Sequence, residues 1–263
     1  MDSTQRALTP WVVLAYLGIG AASGMLSGLF GVGGGTVIVP LLVMLLAFDQ
    51  RLAAGTSLAA IAISASAGVI SYALADSVAW IPELILAVGA VIGAQIGTWM
   101  LPRVSQTVLR WFFVVFLIGV IVSLFLVIPS REAVLELRME SAIGLAFVGI
   151  ITGILAGLIG VGGGIIVVPF LILVFGASDL VAKGTSLLMM IPTALSGTLG
   201  NYRRRNVNLA AAGIIGGAGA ATTAVGAWVA RIVDPFTANV LFAVFLTGIT
   251  VQMALRAIKG RAR

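Results

Sequence analysis

The sequence predicts an all-α polytopic membrane protein made of two inverted repeats of about five helical segments each. Three observations carry that prediction. Hydrophobic residues make up 60% of the chain and charged residues 9%, with a mean hydropathy of +1.19, whereas a soluble domain carries about a quarter charged residues. The apolar sequence is divided into runs near membrane-helix length. One pattern, Gly28-Leu-Phe-Gly31-Val-Gly33-Gly34-Gly35 leading to Pro40, returns 129 residues later as Gly157-Leu-Ile-Gly160-Val-Gly162-Gly163-Gly164 leading to Pro169.

In order, the segments are Trp11–Phe30, Thr36–Phe48, Leu52–Leu74, Ile81–Leu101 and Val108–Ile128, then Ser141–Ile159, Ile165–Phe175, Val181–Leu199, Val207–Ala230 and Phe236–Leu255. Residues 1–130 form the first repeat, 131–140 a charged connector, and 141–263 the second repeat. Met1 to Pro10 lacks a basic stretch and a cleavage site, so the first segment reads as a retained helix. At the constant offset of 129, Gly24–Leu58 matches Gly153–Leu187 at 17 of 35 positions, and the register persists through Gly68/Gly197, Trp99/Trp228 and Gly119/Gly248. Duplicated halves are a common build of secondary transporters. Gly89, Gly93 and Gly97 recur every fourth residue, a small-residue face on which membrane helices pack closely.

Each glycine turn precedes a short segment. Thr36–Phe48 has 13 residues, about 20 Å of helix against a hydrocarbon core of about 30 Å. Either the first two segments form a hairpin whose glycine turn ends inside the bilayer, or they form one broken crossing. The hairpin puts 11 basic residues on one side and 4 on the other; the single crossing gives 10 against 5. Basic residues favour the cytoplasm, so the hairpin is adopted, with both termini cytoplasmic. Five segments per half then invert the second half. The two turns enter from opposite faces and overlap near the midplane, where broken backbone is tolerated if it lines a cavity.

Several chemistries are excluded. The +6 net charge reads as topology signal rather than nucleic-acid binding. The chain has no Cys and no His, which removes disulfides, thiolates and the commonest relay and metal ligand. The turns lack the last glycine of a dinucleotide fingerprint and no Walker motif is present, so no cofactor is expected. No metal is expected either, and an enzyme is not. Asp76 and Glu83 fall in an expected loop and read as solvated.

What remains is polar backbone and hydroxyls. Glycine turns expose N–H groups, and the helix that follows presents its positive dipole end. The candidate substrate-binding residues are therefore Gly31, Gly33, Gly34, Gly35 and Thr36 in the first repeat and Gly160, Gly162, Gly163 and Gly164 in the second. Beside them stand Gly55-Thr56-Ser57 and Gly184-Thr185-Ser186, opening the third and eighth segments. Thr56, Ser57, Thr185 and Ser186 read equally as site donors or as capping hydroxyls. Lys183 joins the candidates: its repeat mate is Ala54, and it reads either as a lysine snorkelling to the outer surface or as positive charge lent to a passing anion. Donors without carboxylates suit an oxyanion and not a metal cation.

The doubled GxxGxGGGxxxxP stretch, each copy followed by Gly-Thr-Ser, resembles the TauE/SafE family of sulfite and organosulfonate exporters over nearly the whole chain. The resemblance implies a multi-pass transporter of the bacterial inner membrane for a small sulfur-containing anion, with the glycine-turn and Gly-Thr-Ser positions as its site. Export by alternating access is the leading expectation; uptake of such an anion, or a non-transporting membrane scaffold, are the alternatives. The partners expected are the anion and the lipid bilayer, with no nucleic acid; a homodimer stays open.

Overall fold

The computed structural model of the chain describes residues 9–126 and 139–259. Among them are ten α-helices: α1 (Pro10–Phe30), α2 (Gly35–Leu45), α3 (Gln50–Ala73), α4 (Trp80–Met100), α5 (Gln106–Leu126), α6 (Met139–Ile159), α7 (Gly164–Phe175), α8 (Asp179–Tyr202), α9 (Leu209–Ile232) and α10 (Pro235–Lys259). They follow the ten expected segments one for one. Most of the connector, residues 131–138, lies outside the described residues.

The helix starts are chemically marked. Thr9 caps α1 ahead of Pro10, Asp49 caps α3 through bonds from the N–H groups of Arg51 and Leu52, Ser178 caps α8, and Asn208 caps α9. Each side-chain oxygen takes an N–H that the helix cannot satisfy itself. Helix α4 starts on Ala79 with no side-chain cap, and α2 and α7 start on Gly34 and Gly163 in the left-handed region, also uncapped by a side chain.

Helices α1, α3, α4, α6, α8 and α9 are long and apolar enough to cross a membrane. The 11 residues of α2 and the 12 of α7 amount to roughly 17 Å of helix each. In α5 and α10 the apolar stretches found are Thr107–Gly119 and Leu246–Leu255. One side of α4 exposes Ile81, Leu84, Val88, Ile92 and Trp99 while Gly89, Gly93 and Gly97 turn inward. Large apolar groups outside and glycines inside is the pattern of a helix bathed in lipid and packed through its small residues.

The packing crosses between halves. Gly20, Gly24 and Gly28 of α1 abut Ile215, Gly219 and Thr223 of α9, four-residue steps in the same direction, so α1 and α9 run parallel. Gly89, Gly93 and Gly97 of α4 abut Ala146, Ile150 and Ile154 of α6 in the same way. A methyl at Gly24 or Gly93 would overlap the partner backbone. Helices α3 and α8 lie between these pairs and pack on each other, while α5 pairs with α10.

Two readings of the sequence need correction. Glu83 is not in a loop: it sits in the first turn of α4 and is buried. The eighth segment begins earlier than Val181, because α8 takes in Asp179, which is also buried. A carboxylate is costly in lipid, so the sequence reading stopped short of it; an ion pair inside the protein is what lets the helix include it.

Candidate functional site

The two glycine turns share one backbone design. Helix α1 ends at Phe30; Gly31 (φ 69°) closes it, its N–H donating to Ser27 O at 2.8 Å, and Gly33 (79°) and Gly34 (69°) carry the chain into α2. In the second turn Gly160 (80°) donates to Ala156 O at 2.8 Å, and Gly162 (82°) and Gly163 (95°) lead into α7. Six left-handed residues in two short turns explain the glycines, since a Cβ is strained at such angles.

The turns touch one another. A Cβ on Gly35 would lie 2.5 Å from Val161 Cα and 2.6 Å from Gly160 O. One on Gly164 would run into Gly31 O and the Met190 methyl. Backbone therefore meets backbone with no room for a side chain. Residues 31–40 and 160–165 are all buried, so the place where the turns meet is closed to solution. Among the described residues, the N–H groups of Gly33, Gly34 and Gly35, and of Gly162, Gly163 and Gly164, have no acceptor. They lead into the first turns of α2 and α7, whose dipoles add positive potential there.

The Gly-Thr-Ser hydroxyls are committed across the halves. Ser57 Oγ donates to Gly160 O at 2.7 Å, and the one Ser186 hydroxyl proton is shared between Gly31 O at 2.6 Å and Lys183 O at 2.8 Å. Thr56 Oγ1 accepts from Asn208 N–H, and Thr185 Oγ1 from Ala79 N–H, both at 3.0 Å. Asn208 and Ala79 are the residues on which α9 and α4 begin. None of the four caps its own helix. The capping reading fails for them because α3 and α8 begin at Gln50 and Asp179, a turn or more earlier, on Asp49 and Ser178. Each of the four bonds that cross between the halves recurs at the 129 offset, so each half clasps the other's glycine turn.

Thr36 is buried in the first turn of α2, with Ile165 buried at its repeat position in α7. Lys183 is buried as well, 5% exposed, and its Nζ lies 2.8 Å from Asp179 Oδ2. It is not at the surface: a Cβ on Gly31 would sit 2.6 Å from Lys183 Cα and 2.9 Å from its Cγ. Ala54 backs Gly160 in the same manner.

Three features escaped the reading of the sequence. Ile61 and Met190, mates in the repeat and both fully buried, each lie against Gly33 and Gly162. They stand four residues after Ser57 and Ser186, on the same helix faces, and that spacing could have marked them. Asp179 escaped through the segment boundary. Gln50, its repeat mate, is fully buried with neither amide atom partnered.

The sequence matches the family described as Sulfite exporter TauE/SafE over residues 2–124 and 145–263. The probable membrane transporter protein YunE of Bacillus subtilis is 27% identical over 222 residues, covering 75% of this chain and 80% of its own. A probable membrane transporter protein of Xylella fastidiosa (strain Temecula1) is 30% identical over 213 residues, covering 78% and 80%. The probable membrane transporter protein MJ0441 of Methanocaldococcus jannaschii is 26% identical over 161 residues, covering 58% and 59%. No solved structure matches the chain. With both repeats covered by one family and its relatives named as transporters, this multi-pass membrane protein belongs to the sulfite exporter TauE/SafE family.

Proposed function

We propose that the chain exports a small sulfur oxyanion, sulfite or an organosulfonate, across the bacterial inner membrane by alternating access, with the substrate held where the two glycine turns meet. The observation that carries this reading is the pair of apposed turns with backbone N–H groups lacking acceptors. Such donors suit an oxyanion and exclude nothing by size beyond what the turns themselves admit. The family description agrees in substrate class.

The membrane arrangement that fits is an inverted one, in which α1 and α2 enter and leave from the cytoplasmic face and α6 and α7 from the other. Ile61 and Met190 fall near the middle of the 24-residue α3 and α8. Ser57 and Ser186, which hold the turns, lie four residues earlier, about 6 Å along each helix. Each turn on this reading passes the midplane by about that much before it reverses. The 11-to-4 split of basic residues puts both termini in the cytoplasm. In this state Ile61 and Met190 close the path, and access alternates as they part on one side or the other.

An interior-negative potential favours exit of each negative charge by about 2.3 kcal/mol per 100 mV, so export needs no coupling ion. Uptake is the second reading, and the buried Asp179 and Glu83 favour it by offering the protonatable groups that coupling requires. Purified protein in liposomes, loaded with radiolabelled sulfite, tests both: voltage-driven efflux without a proton gradient is expected. Movement only with a proton gradient would turn the reading to uptake, and no movement under any gradient would leave a scaffold.

A further inference from the structure

We propose that the Asp179 carboxylate is a built-in competitor for the transported anion: it holds Lys183 while the path is empty, yields it to an arriving oxyanion, and reclaims it as the anion leaves. This rests on the transport reading above and on its assignment of the start of α8 to the outer end.

The pair is placed to act on the turn. Lys183 backs Gly31 through its Cα, Cβ and Cγ, and Ser186 Oγ joins Gly31 O to Lys183 O. The lysine and the first glycine turn are thus one mechanical unit. Lys183 is the one basic side chain among the described residues that is buried. Its ammonium has three donors, and one bond, to Asp179, is formed. Two remain for an oxyanion. Asp179, in turn, opens α8, where the helix dipole favours a carboxylate even when its lysine is occupied elsewhere.

The repeat shows that the fold does not require the pair. At the same two positions of the first half stand Gln50 and Ala54, both buried, with Ala54 behind Gly160. Replacing a buried ion pair by neutral groups is often stabilising, so a pair kept in one half only asks for another reason. The two ends of the path consequently differ. At the inner end the Gln50 amide, unpartnered, offers a neutral donor with no competing carboxylate. At the outer end the anion meets a lysine that already has a counter-ion. Tyr72, whose hydroxyl donates to Gly28 O at 2.7 Å, and Arg231, which donates to Ser71 O at 2.7 Å, complete that end. Uncontested binding inside and contested binding outside make the outer face the weaker binder, while the membrane potential sets the direction of net movement.

The test uses the full-length protein in liposomes of known orientation, with sulfite as probe, and measures half-saturation from each face by counterflow. Asp179→Asn is expected to tighten outer-face half-saturation about tenfold, the low end of coupling between groups that share a site, and to slow efflux. Lys183→Ala should weaken it by a similar factor. The double variant Asp179→Gln with Lys183→Ala copies the first half, avoids an unpaired buried charge, and should equalise the two faces. Unchanged or weaker outer-face affinity in Asp179→Asn, or faces still unequal in the double variant, overturns the proposal. If all three variants only lower the melting temperature, the pair is structural. Wild-type protein that neither binds nor moves sulfite would sink the transport reading itself, a result separable from the rest because it needs no variant.

Discussion

Replacing Gly35 by Ala tests the contact between the turns without disturbing their dihedral angles, because Gly35 is not in the left-handed region. The added methyl would lie 2.5 Å from Val161 Cα, 2.6 Å from Gly160 O and 2.9 Å from Val161 C. All three are backbone atoms, so no rotamer change relieves the overlap, and the turns must separate by about 1 Å to restore ordinary contact. Overpacking of this kind costs typically 1–3 kcal/mol, against at most about 1 kcal/mol gained from alanine's helix propensity. The net expectation is a loss of about 1–2 kcal/mol and a fall in sulfite flux. Gly213→Ala, on α9 with nothing within 4 Å of its Cβ, is the control and should stabilise by up to about 1 kcal/mol. Thermal unfolding in detergent and flux in liposomes are measured on both variants. A Gly35→Ala protein that melts and transports like the wild type would refute the apposition of the two turns.

Gly34→Leu and Gly163→Leu add both strain at positive φ and bulk against Ser23 or Thr152, so transport should vanish while the protein still inserts, as read by membrane-fraction blotting beside the flux assay. Ser57→Ala and Ser186→Ala each leave a buried carbonyl of the opposite turn without that donor, and each should cost about 1–3 kcal/mol in an unfolding titration. Single cysteines at positions 136 and 204 of this cysteine-free chain should label from opposite faces of the membrane; labelling from one face would overturn the inverted arrangement.

All ten helices were legible because each follows an apolar run, and glycine punctuation ends α1 and α6. Their starts were less so: Asp49, Ser178 and Asn208 begin α3, α8 and α9 at Gln50, Asp179 and Leu209 rather than at Leu52, Val181 and Val207. The wiring of the site was not legible. That Ser57 serves Gly160, and Ser186 serves Gly31, is a relation between residues 103 and 155 positions apart, and no local pattern encodes it. The repeat did encode the symmetry of that wiring, since each of the bonds made across the halves by the two Thr-Ser pairs has its mate at offset 129. Asp179 and Glu83 were misread for one physical reason. A charge beside an apolar run looks like a boundary, and only the partner Lys183, one helical turn away, makes burial affordable for Asp179. Among the described residues Glu83 has no such ion pair, and its burial within α4 has no counterpart in the sequence pattern.

The pairing of α1 with α9 has a consequence for how the protein is made. The glycine face of α1 is complete once Phe30 has left the ribosome, but its partner ends at Ile232. At roughly 5–20 residues per second, about 10–40 s pass before α9 exists. During that interval the flat face of α1 stands against lipid or against whatever the insertion machinery supplies. The same holds, for a shorter time, of α4 waiting for α6. A chain built in this way cannot mature from its N-terminus in finished pieces; its first half stays provisional until nearly the last helix arrives.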